Sequence, residues 1–357
     1  MSAPVLIAAG GTGGHVFPAL AVAECLRDRA VPVVWLGTAR GLEGQLVPKS
    51  GFALETIRVS GLRGTGLKRF MLAPPMLLRA LLQAVAVLRR QRPRLVLGMG
   101  GFASGPGGIA ARCLGIPLVI HEQNAIAGLT NRWLARLARR VLQAFPGTFA
   151  VGRQPETVGN PVRAGIAALP PPRERFAIRK GPARLLVLGG SQGARALNQI
   201  VPVALARLAE RPEVRHQAGG KMLDEATRAY REAGVSARLE PFIDDMAEAY
   251  DWADLVLCRA GALTVSELAA AGVGALLVPF PHAVDDHQTA NGRHLAEVGA
   301  ARLLSQDRLT PERLADELQV LLGDRPALLA MAEAARSRAR TDAATRVAEI
   351  CLAEARS

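Results

Sequence analysis

A glycine-rich turn, set between an apolar run and a helix-forming segment, occurs twice in this chain, at residues 5–15 and 185–195. In each copy the apolar run predicts a buried β-strand. The glycines let backbone N–H groups approach an anion closely, and the start of the following helix adds partial positive charge. Because the device recurs about 180 residues later, we expect two similar halves.

Strand and helix patterns alternate through both halves. This alternation predicts an α/β fold of two tandem Rossmann-like doubly wound domains, with ligand loops at the carboxyl ends of parallel strands and a cleft between the domains. A proline-rich stretch places the linker near residues 161–183. We therefore expect domains at 1–160 and 161–341, with a final helix in 342–357 that packs back onto the first domain.

Three element boundaries near the first glycine-rich turn are expected from local signals. A helix is predicted from about Pro18 to Arg29, after the glycine-rich turn. A strand is predicted at residues 53–59, and a helix through Leu88 is predicted to follow the segment 68–78, which contains a proline pair.

The net charge is unevenly distributed. Residues 1–160 contain 19 Lys/Arg and six Asp/Glu, whereas residues 161–357 contain 25 of each, so the whole excess of +13 lies in the first half. That half is expected to face an anionic partner. A nucleic acid is disfavoured, because neither interleaved aromatics nor a known reader motif accompanies the charge.

The basic, apolar segment 63–94 is the candidate membrane-facing surface. It combines leucines with cations that include Lys68, Arg69, Arg89 and Arg90, a composition that suits an anionic lipid interface. The prolines at 74–75 and Arg79 argue against a transmembrane helix. The alternative is an ordinary surface helix packed on the sheet.

Several classes of nucleotide-binding protein are excluded because the chain lacks residues of their motifs. In the nicotinamide pattern a third glycine would fall at Val16, and no acid ends the second strand after Leu36. Walker and Asp-x-Asp motifs are absent, and the four cysteines are widely spaced. We expect no metal and no cofactor, so helix N-termini and arginine would neutralise a leaving diphosphate. The scattered cysteines and the lack of a signal-peptide pattern predict a reducing, cytoplasmic location.

Eight motifs, in order along nearly the whole chain, resemble the MurG family of bacterial GT-B-type glycosyltransferases. They lie at residues 10–18, 98–108, 121–124, 159–163, 189–195, 242–246, 262–267 and 285–291. The resemblance implies an inverting transferase that moves N-acetylglucosamine from UDP-N-acetylglucosamine to the muramyl 4-hydroxyl of lipid I, forming lipid II in peptidoglycan synthesis. A UDP-sugar epimerase or another glycolipid transferase on the same scaffold is the alternative.

The resemblance also implies a cellular setting. The partners would be UDP-N-acetylglucosamine, lipid I, an anionic membrane surface and other cell-wall synthesis proteins, with no nucleic acid. The enzyme would act as a peripheral protein at the cytoplasmic face of the inner membrane.

By the same resemblance, donor-binding residues lie in both halves. Ser191 would contact the diphosphate, or serve only as a helix cap. Glu267 would bind the ribose, although Thr264 and Glu267 also match a capping box, as do Asp285 and Gln288. Gln288 would bind sugar hydroxyls, with Asn291 as a further candidate. The expected donor-binding set is Thr12, Gly13, Gly14, Asn124, Arg163, Ser191, Ile243, Ala262, Leu263, Thr264, Val265, Ser266, Glu267 and Gln288.

His15 is the first candidate for the general base. A base must take the proton of the acceptor hydroxyl, and histidine titrates near neutral pH; contact with the diphosphate is the alternative. Glu122 is the second candidate base, with His121 as the residue that orients it. The acceptor diphosphate is expected at Gly100, Gly101 and Ser104.

Overall fold

The computed structural model describes residues 3–59, 67–150, 152, 154–190 and 194–356, without the side chains of residues 67–73 and 284. The chain divides into two compact units: a first unit of Met1–Arg163 with Thr341–Ser357, and a second unit of Ala164–Arg340. Each contains a parallel β-sheet with helices packed against it. The predicted fold class, two tandem Rossmann-like doubly wound domains, is confirmed.

The first unit is built on a seven-stranded sheet. Its elements are β1 (Val5–Ala8), α1 (Gly13–Asp28), β2 (Val33–Gly37), α2 (Glu43–Lys49), β3 (Ala53–Thr56), α3 (Leu67–Gln91), β4 (Leu95–Gly98), α4 (Ser104–Cys113), β5 (Leu118–Glu122), α5 (Leu129–Leu134), β6 (Arg140–Gln143) and β7 (Glu156–Thr157). The strand order is β3-β2-β1-β4-β5-β6-β7. Val5 on β1 pairs with Val33 on one side and with Leu95 on the other, both in parallel.

The second unit repeats the plan with six strands. Its elements are α6 (Ala164–Ala167), α7 (Pro172–Ala177), β8 (Arg184–Leu188), α8 (Arg195–Leu205), β9 (Glu213–Gln217), α9 (Leu223–Glu232), β10 (Arg238–Glu240), α10 (Met246–Trp252), β11 (Leu255–Cys258), α11 (Ala262–Ala271), β12 (Gly274–Leu277), α12 (His287–Ala296), β13 (Ala301–Leu303), α13 (Pro311–Leu322) and α14 (Arg325–Ser337). The strand order is β10-β9-β8-β11-β12-β13.

The last helix, α15 (Ala343–Glu354), packs on α1 in the first unit. Val347 and Cys351 are fully buried in one core with Val5 and Leu26. Both faces of a parallel sheet are covered by helices, and α15 helps to cover one face of the first sheet. The side of α15 that faces this core is therefore apolar. The proline-rich stretch after Arg163 is partly helical and belongs to the second unit.

Three predicted boundaries are wrong. α1 begins at Gly13 rather than near Pro18, so the glycines that suggested a turn already form its first turn. α3 begins at Leu67 and continues through Pro74 and Pro75, so the segment 68–78 is part of the helix and does not precede it. β3 ends at Thr56 instead of residue 59, where its pairing with β2 stops.

The order of both sheets reverses beside the first strand of the unit. In the first unit this point lies between β1 and β4, and in the second between β8 and β11. Ligands of open parallel sheets bind outside the carboxyl ends of the strands at such a reversal. The turns that follow these four strands are therefore where the site is built.

Candidate active site

The first glycine-rich turn is held by a buried carboxylate, Glu43. This carboxylate accepts hydrogen bonds from the Gly11 N–H at 2.9 Å, the Thr38 N–H at 2.9 Å and the Thr38 hydroxyl at 2.7 Å. Glu43 is fully buried. The Gly11 N–H thus already has an acceptor within the protein, and a ligand is left with the backbone donors at the start of α1.

Sequence reasoning missed Glu43. The search for an acid after β2 stopped at the end of the strand, whereas Glu43 lies six residues beyond Gly37 as the first residue of α2. An acid at the strand end would bind a ribose in nicotinamide-binding folds. Here the acid instead supports the turn itself.

The glycine turns after β1 and β4 lie against each other. A Cβ on Gly101 would lie 2.0 Å from the carbonyl oxygen of Gly10, and a Cβ on Gly100 would lie 2.7 Å from Nδ1 of His15. Both residues have positive φ, at 87° for Gly100 and 80° for Gly101. Glycine is therefore required here for packing, whatever else these residues bind; their contact with the acceptor diphosphate stays a prediction.

Gly101→Ala is expected to lower the free energy of unfolding of the first unit by more than about 3 kcal/mol, since it combines positive-φ strain with a backbone clash. Gly115→Ala is the matched control, because Gly115 has a φ of 69° but no atom within 4 Å of its Cβ position. It should cost only about 1–2 kcal/mol. The free energy of unfolding of both variants is measured by urea denaturation, monitored through hydrogen exchange in β1 and β4. Equal losses of stability in the two variants would contradict the clash at Gly101.

His15 lies in the first turn of α1 and begins a buried chain of side chains. Its Nδ1 is 2.9 Å from Oε1 of Gln123, and Nε2 of Gln123 is 3.1 Å from Nδ1 of His121. Nε2 of His121 is 2.9 Å from the carbonyl oxygen of Gly159. Complete burial lowers the pKa of His121 to about 4, so this imidazole is neutral at pH 7. Gln123 was not among the predicted site residues.

The structure contradicts Glu122 as a base. Both carboxylate oxygens are occupied by donors: the backbone N–H and side-chain amide of Asn124 on Oε1, and the Gly128 N–H and Asn131 amide on Oε2. Only 2% of Glu122 is exposed. His121 contacts Gln123 and Gly159 instead of orienting this carboxylate. Glu122 holds the loop after β5 together.

The hydroxyl of Ser104 is also committed internally, contrary to the prediction. It lies 2.5 Å from the carbonyl oxygen of Ala8 and 2.8 Å from that of Gly100, in a fully buried residue. An acceptor diphosphate has no access to this oxygen. Ser104 ties β1 to the turn after β4, and the start of α4 contributes backbone donors only.

The other predicted donor residues of the first unit lie around this turn. Thr12 is the extended N-cap residue of α1 and its hydroxyl makes no capping bond, while Gly13 and Gly14 open the helix. Asn124 is half-buried beside Glu122. The guanidinium of Arg163 lies 5.4 Å above the ring of Phe17. These placements leave their donor contacts as predictions.

In the second unit, the start of α11 carries six predicted residues. The helix begins at Ala262 with Gly261 as N-cap, so Thr264 is not a cap and the capping-box interpretation of Thr264 and Glu267 is wrong. Glu267 is buried and accepts a hydrogen bond from the Tyr250 hydroxyl at 3.2 Å. The hydroxyl of Ser266 bonds to the Ala262 carbonyl oxygen. The Val265 N–H donates to the Gly261 carbonyl oxygen at 2.9 Å within the helix. Ile243 is buried in the loop between β10 and α10. The donor contacts of Leu263, Val265 and Ile243 stay predictions.

The segment before α12 is strained. Asp285 and Asp286 have φ values of 53° and 49°, a left-handed conformation that is unusual for non-glycine residues. Asp286, and not Asp285, precedes the helix as N-cap, so a capping box of Asp285 with Gln288 is also wrong. Oε1 of Gln288 instead accepts the Phe280 N–H at 2.9 Å. Asn291 is fully buried and bonds to the Ala260 carbonyl oxygen, which removes its amide from ligand binding.

A pocket of about 460 Å³ opens beside these residues within the second unit. Gly189, Arg195, Arg259, Phe280 and Gln288 are among its lining residues. The predicted Ser191 lies outside the described residues. The pocket is at the carboxyl end of β8 and β11, where the reversed strand order predicts a ligand.

Arg259 is a pocket residue that sequence reasoning did not assign. It follows β11 directly, and its guanidinium bonds to Oε1 of Gln306 at 2.6 Å and to the Val278 carbonyl oxygen at 3.1 Å. It also lies 5.5 Å from the Phe280 ring centroid. Burial lowers its pKa, yet arginine stays protonated, so Arg259 provides a fixed positive charge. Its position after a strand at the reversal point was the available signal.

The described residues contain neither a metal-binding cluster nor a membrane-spanning helix. Among the described residues, no group of three or more His, Cys, Asp or Glu side chains is placed to hold a metal ion. Over the same ranges, no helix combines the length and apolar character needed to cross a bilayer.

Two doubly wound parallel sheets, each with glycines in the turn at the point where its strand order reverses, are the architecture of the GT-B class. The glycosyltransferase family 28 N-terminal domain model matches residues 5–143, and the family 28 C-terminal domain model matches residues 184–347. The crystal structure of MurG from Acinetobacter baumannii is 41% identical, with a TM-score of 0.86 over 99% of this chain and 100% of that one.

Curated relatives share more than the fold. The UDP-N-acetylglucosamine–N-acetylmuramyl-(pentapeptide) pyrophosphoryl-undecaprenol N-acetylglucosamine transferase of Alkalilimnicola ehrlichii is 61% identical over 100% of both chains. The protein of that name from Nitrosococcus oceani is 59% identical over 99% of both. The chain belongs to the MurG family of glycosyltransferases.

Proposed function

We propose that the chain transfers N-acetylglucosamine from UDP-N-acetylglucosamine to the muramyl 4-hydroxyl of lipid I, with inversion at the anomeric carbon, and so forms lipid II. The observation that carries this proposal is the 61% identity, over the full length of both chains, to a relative named as an N-acetylglucosamine transferase with UDP-N-acetylglucosamine and N-acetylmuramyl-(pentapeptide) pyrophosphoryl-undecaprenol as substrates. The site geometry supports it through His15, the glycine turns and the pocket with Arg259.

The proposed reaction is a single displacement. The acceptor hydroxyl oxygen attacks the anomeric carbon and gives its proton to Nε2 of His15. The bond from that carbon to the diphosphate breaks, and its electron pair leaves with UDP. Inversion follows because attack and departure occur on opposite faces. A positioned general base contributes roughly 10²–10⁴-fold to such a step.

The second unit is the proposed donor-binding unit. Its pocket joins the cationic Arg259 to Gln288 and to the start of α8, and helix starts stabilise phosphate charge. Oε1 of Gln288 accepts a hydrogen bond from the Phe280 N–H. The amide N–H groups of Gln288 are therefore the proposed donors to sugar hydroxyls. Glu267 is the proposed ribose ligand beside Tyr250. Ser191, the remaining predicted diphosphate ligand, stays a sequence-based assignment.

The acceptor diphosphate is proposed to bind the backbone donors at the starts of α1 and α4 in the first unit. These helix starts flank the contact between the turns after β1 and β4. Arg163, held over Phe17 near the start of α1, keeps its proposed role as a contact to the donor phosphate.

The first unit is also the proposed membrane-facing unit. Large apolar side chains are exposed on three helices that pack in succession: Leu77, Leu78 and Leu82 on α3, Ile109 on α4, and Leu129 and Trp133 on α5. Exposed arginines border them, and Arg136 stacks on Trp133 at 4.6 Å. Tryptophan and arginine together suit the boundary of an anionic bilayer. The side chains of Lys68 and Arg69, predicted for this surface, lie outside the described residues.

The double variant Leu78→Ser/Leu82→Ser is expected to weaken binding to anionic vesicles about tenfold. The two side chains are 58% and 61% exposed, and burying a leucine in hydrocarbon is worth about 1.5–3 kcal/mol when complete. Ile178→Ser/Val320→Ser is the matched control in the second unit, with 81% and 61% exposure. Vesicle co-sedimentation measures both. Equal weakening in the two variants would contradict a membrane surface on α3.

A product assay tests the proposed transfer against the epimerase alternative. The UDP-N-acetylglucosamine 2-epimerase of Neisseria meningitidis shares the fold at 12% identity and a TM-score of 0.68, so the fold alone does not separate the two activities. Incubation with UDP-N-acetylglucosamine and a short-chain lipid I, followed by mass spectrometry, should show the lipid gaining one N-acetylhexosamine. An unmodified lipid together with epimerised sugar would refute the proposal.

A further inference from the structure

We infer that Gln123 is a positioning residue that fixes the tautomer of His15, with the proton on Nδ1 and the lone pair on Nε2. The inference rests on the proposed function in one respect, because His15 is the base of that reaction. Its structural basis is the chain of hydrogen bonds from His15 through Gln123 and His121 to Gly159.

The direction of each hydrogen bond is set from the Gly159 end. A carbonyl oxygen only accepts, so Nε2 of His121, 2.9 Å away, carries a proton. A neutral imidazole has one N–H, which leaves Nδ1 of His121 as an acceptor. The low pKa of about 4 that burial gives His121 keeps it in this neutral form at pH 7.

The acceptor on His121 then determines how Gln123 is oriented. Only the NH₂ group of the amide can donate to Nδ1 of His121, so Nε2 faces His121 at 3.1 Å and Oε1 faces His15 at 2.9 Å. The amide oxygen accepts a hydrogen bond from the N–H at Nδ1 of His15. Neutral His15 therefore presents an unprotonated Nε2, the atom on the opposite side of the ring from Gln123.

The surrounding structure keeps this chain in place. Gln123 is 1% exposed and His121 is fully buried. The backbone carbonyl oxygens of His121 and Gln123 accept the side-chain amides of Asn131 and Asn160 at 3.1 Å and 3.0 Å. Gly100 leaves room for the His15 ring, since a Cβ there would lie 2.7 Å from Nδ1. A base held in one tautomer and one orientation is ready to take the acceptor proton on every encounter.

The tautomer is measured directly by ¹⁵N NMR of histidine-labelled protein, at a pH where His15 is neutral, with His15→Gln identifying the resonances among the six histidines. In the unmodified protein we expect a one-bond proton coupling at Nδ1 of His15 and none at Nε2. A proton on Nε2 would overturn the inference. This readout needs no lipid I, so it stands or falls separately from the proposed transfer.

Gln123→Met removes both hydrogen bonds at nearly constant volume, and Gln123→Glu keeps an acceptor for Nδ1 of His15. We expect Gln123→Met to mix the two tautomers of His15 and to lower kcat about 10- to 100-fold, by analogy with other orienting partners, with the KM for UDP-N-acetylglucosamine changed less than about twofold. Gln123→Glu should retain the Nδ1–H tautomer.

Gln143→Met is the matched control. Gln143 is 4% exposed on the neighbouring strand β6, and its amide bonds to Thr157 and Phe149 without touching a histidine. Its variant should keep the tautomer of His15. If Gln123→Met leaves the tautomer unchanged, or lowers kcat no more than Gln143→Met does, Gln123 has no positioning role.

Discussion

His15→Ala is expected to lower kcat for transfer by about 10³-fold, while the affinity for UDP stays within about twofold. The reason is that His15 lies in the first unit, whereas the proposed nucleotide pocket is formed by residues of the second. Loss of a positioned general base removes roughly 10²–10⁴-fold in rate. Steady-state kinetics with a soluble lipid I analogue and calorimetric titration with UDP measure the two quantities.

The control for this experiment is His294→Ala. His294 is a half-buried histidine on α12, and burial together with Arg338 lowers its pKa. It contributes no atom to the proposed reaction, so its variant should keep kcat within about threefold. A His15→Ala enzyme that turns over normally but binds UDP weakly would make His15 a ligand contact and not a base.

Arg179→Leu is expected to lower the free energy of unfolding of the second unit by about 3–5 kcal/mol. Arg179 pairs with Asp254, and their side chains are 5% and 1% exposed. The guanidinium also bonds to the Ala253 carbonyl oxygen at 2.8 Å. Removing one member of a buried ion pair leaves the other charge desolvated and unpaired, which is the costly case.

Arg173→Leu is the matched control for that loss. Arg173 lies on α7, six residues before Arg179, and pairs with Glu333 on the surface, where it is 80% exposed. Exposed pairs contribute about 0–1 kcal/mol. The urea dependence of hydrogen exchange in β8 and β11 reports the second unit alone. Adding Asp254→Asn removes the charge left unpaired and should restore part of the stability lost in Arg179→Leu. If the double variant is no more stable than Arg179→Leu, an unpaired buried charge is not the cause of the loss.

The arginines after Arg163 also show what local sequence signals miss. The prolines between residues 161 and 183 predicted a linker, yet buried Arg175 bonds there to the carbonyl oxygens of Ala271 and Gly272 at the end of α11. Carbonyl groups at a helix end need such donors. Arg175 and Ala271 are 96 residues apart in the sequence, so no local sequence pattern predicts this contact.

Much of the fold was accessible from sequence because parallel sheets produce strong local signals. The apolar strands, the glycine turns and the alternation of strand and helix all follow from short-range patterns. The exact helix starts were less accessible. At α11, the S/T-x-x-E pattern of Thr264 and Glu267 was compatible with a cap, but Gly261 takes that position, and the packing of Glu267 against Tyr250 uses the carboxylate.

The candidate site also contains residues that the sequence predicts and residues that it does not. His15 was predicted because its residue type and its place beside a glycine turn suit proton transfer. Glu122 was the second candidate base, with His121 expected to orient it, and four hydrogen bonds to its carboxylate remove it. Glu43 and Gln123 were missed because their roles depend on contacts with residues 32 and 108 positions away.

Inverting transfer to lipid I is the activity proposed for this chain. The direct measurement uses UDP-N-acetylglucosamine labelled with ¹³C at the anomeric carbon, lipid I, and NMR of the isolated product. We expect one labelled disaccharide lipid per UDP released, with a β-configured linkage from the α-configured donor. An α-configured linkage, or label that remains in free or epimerised sugar while lipid I stays unmodified, would contradict it.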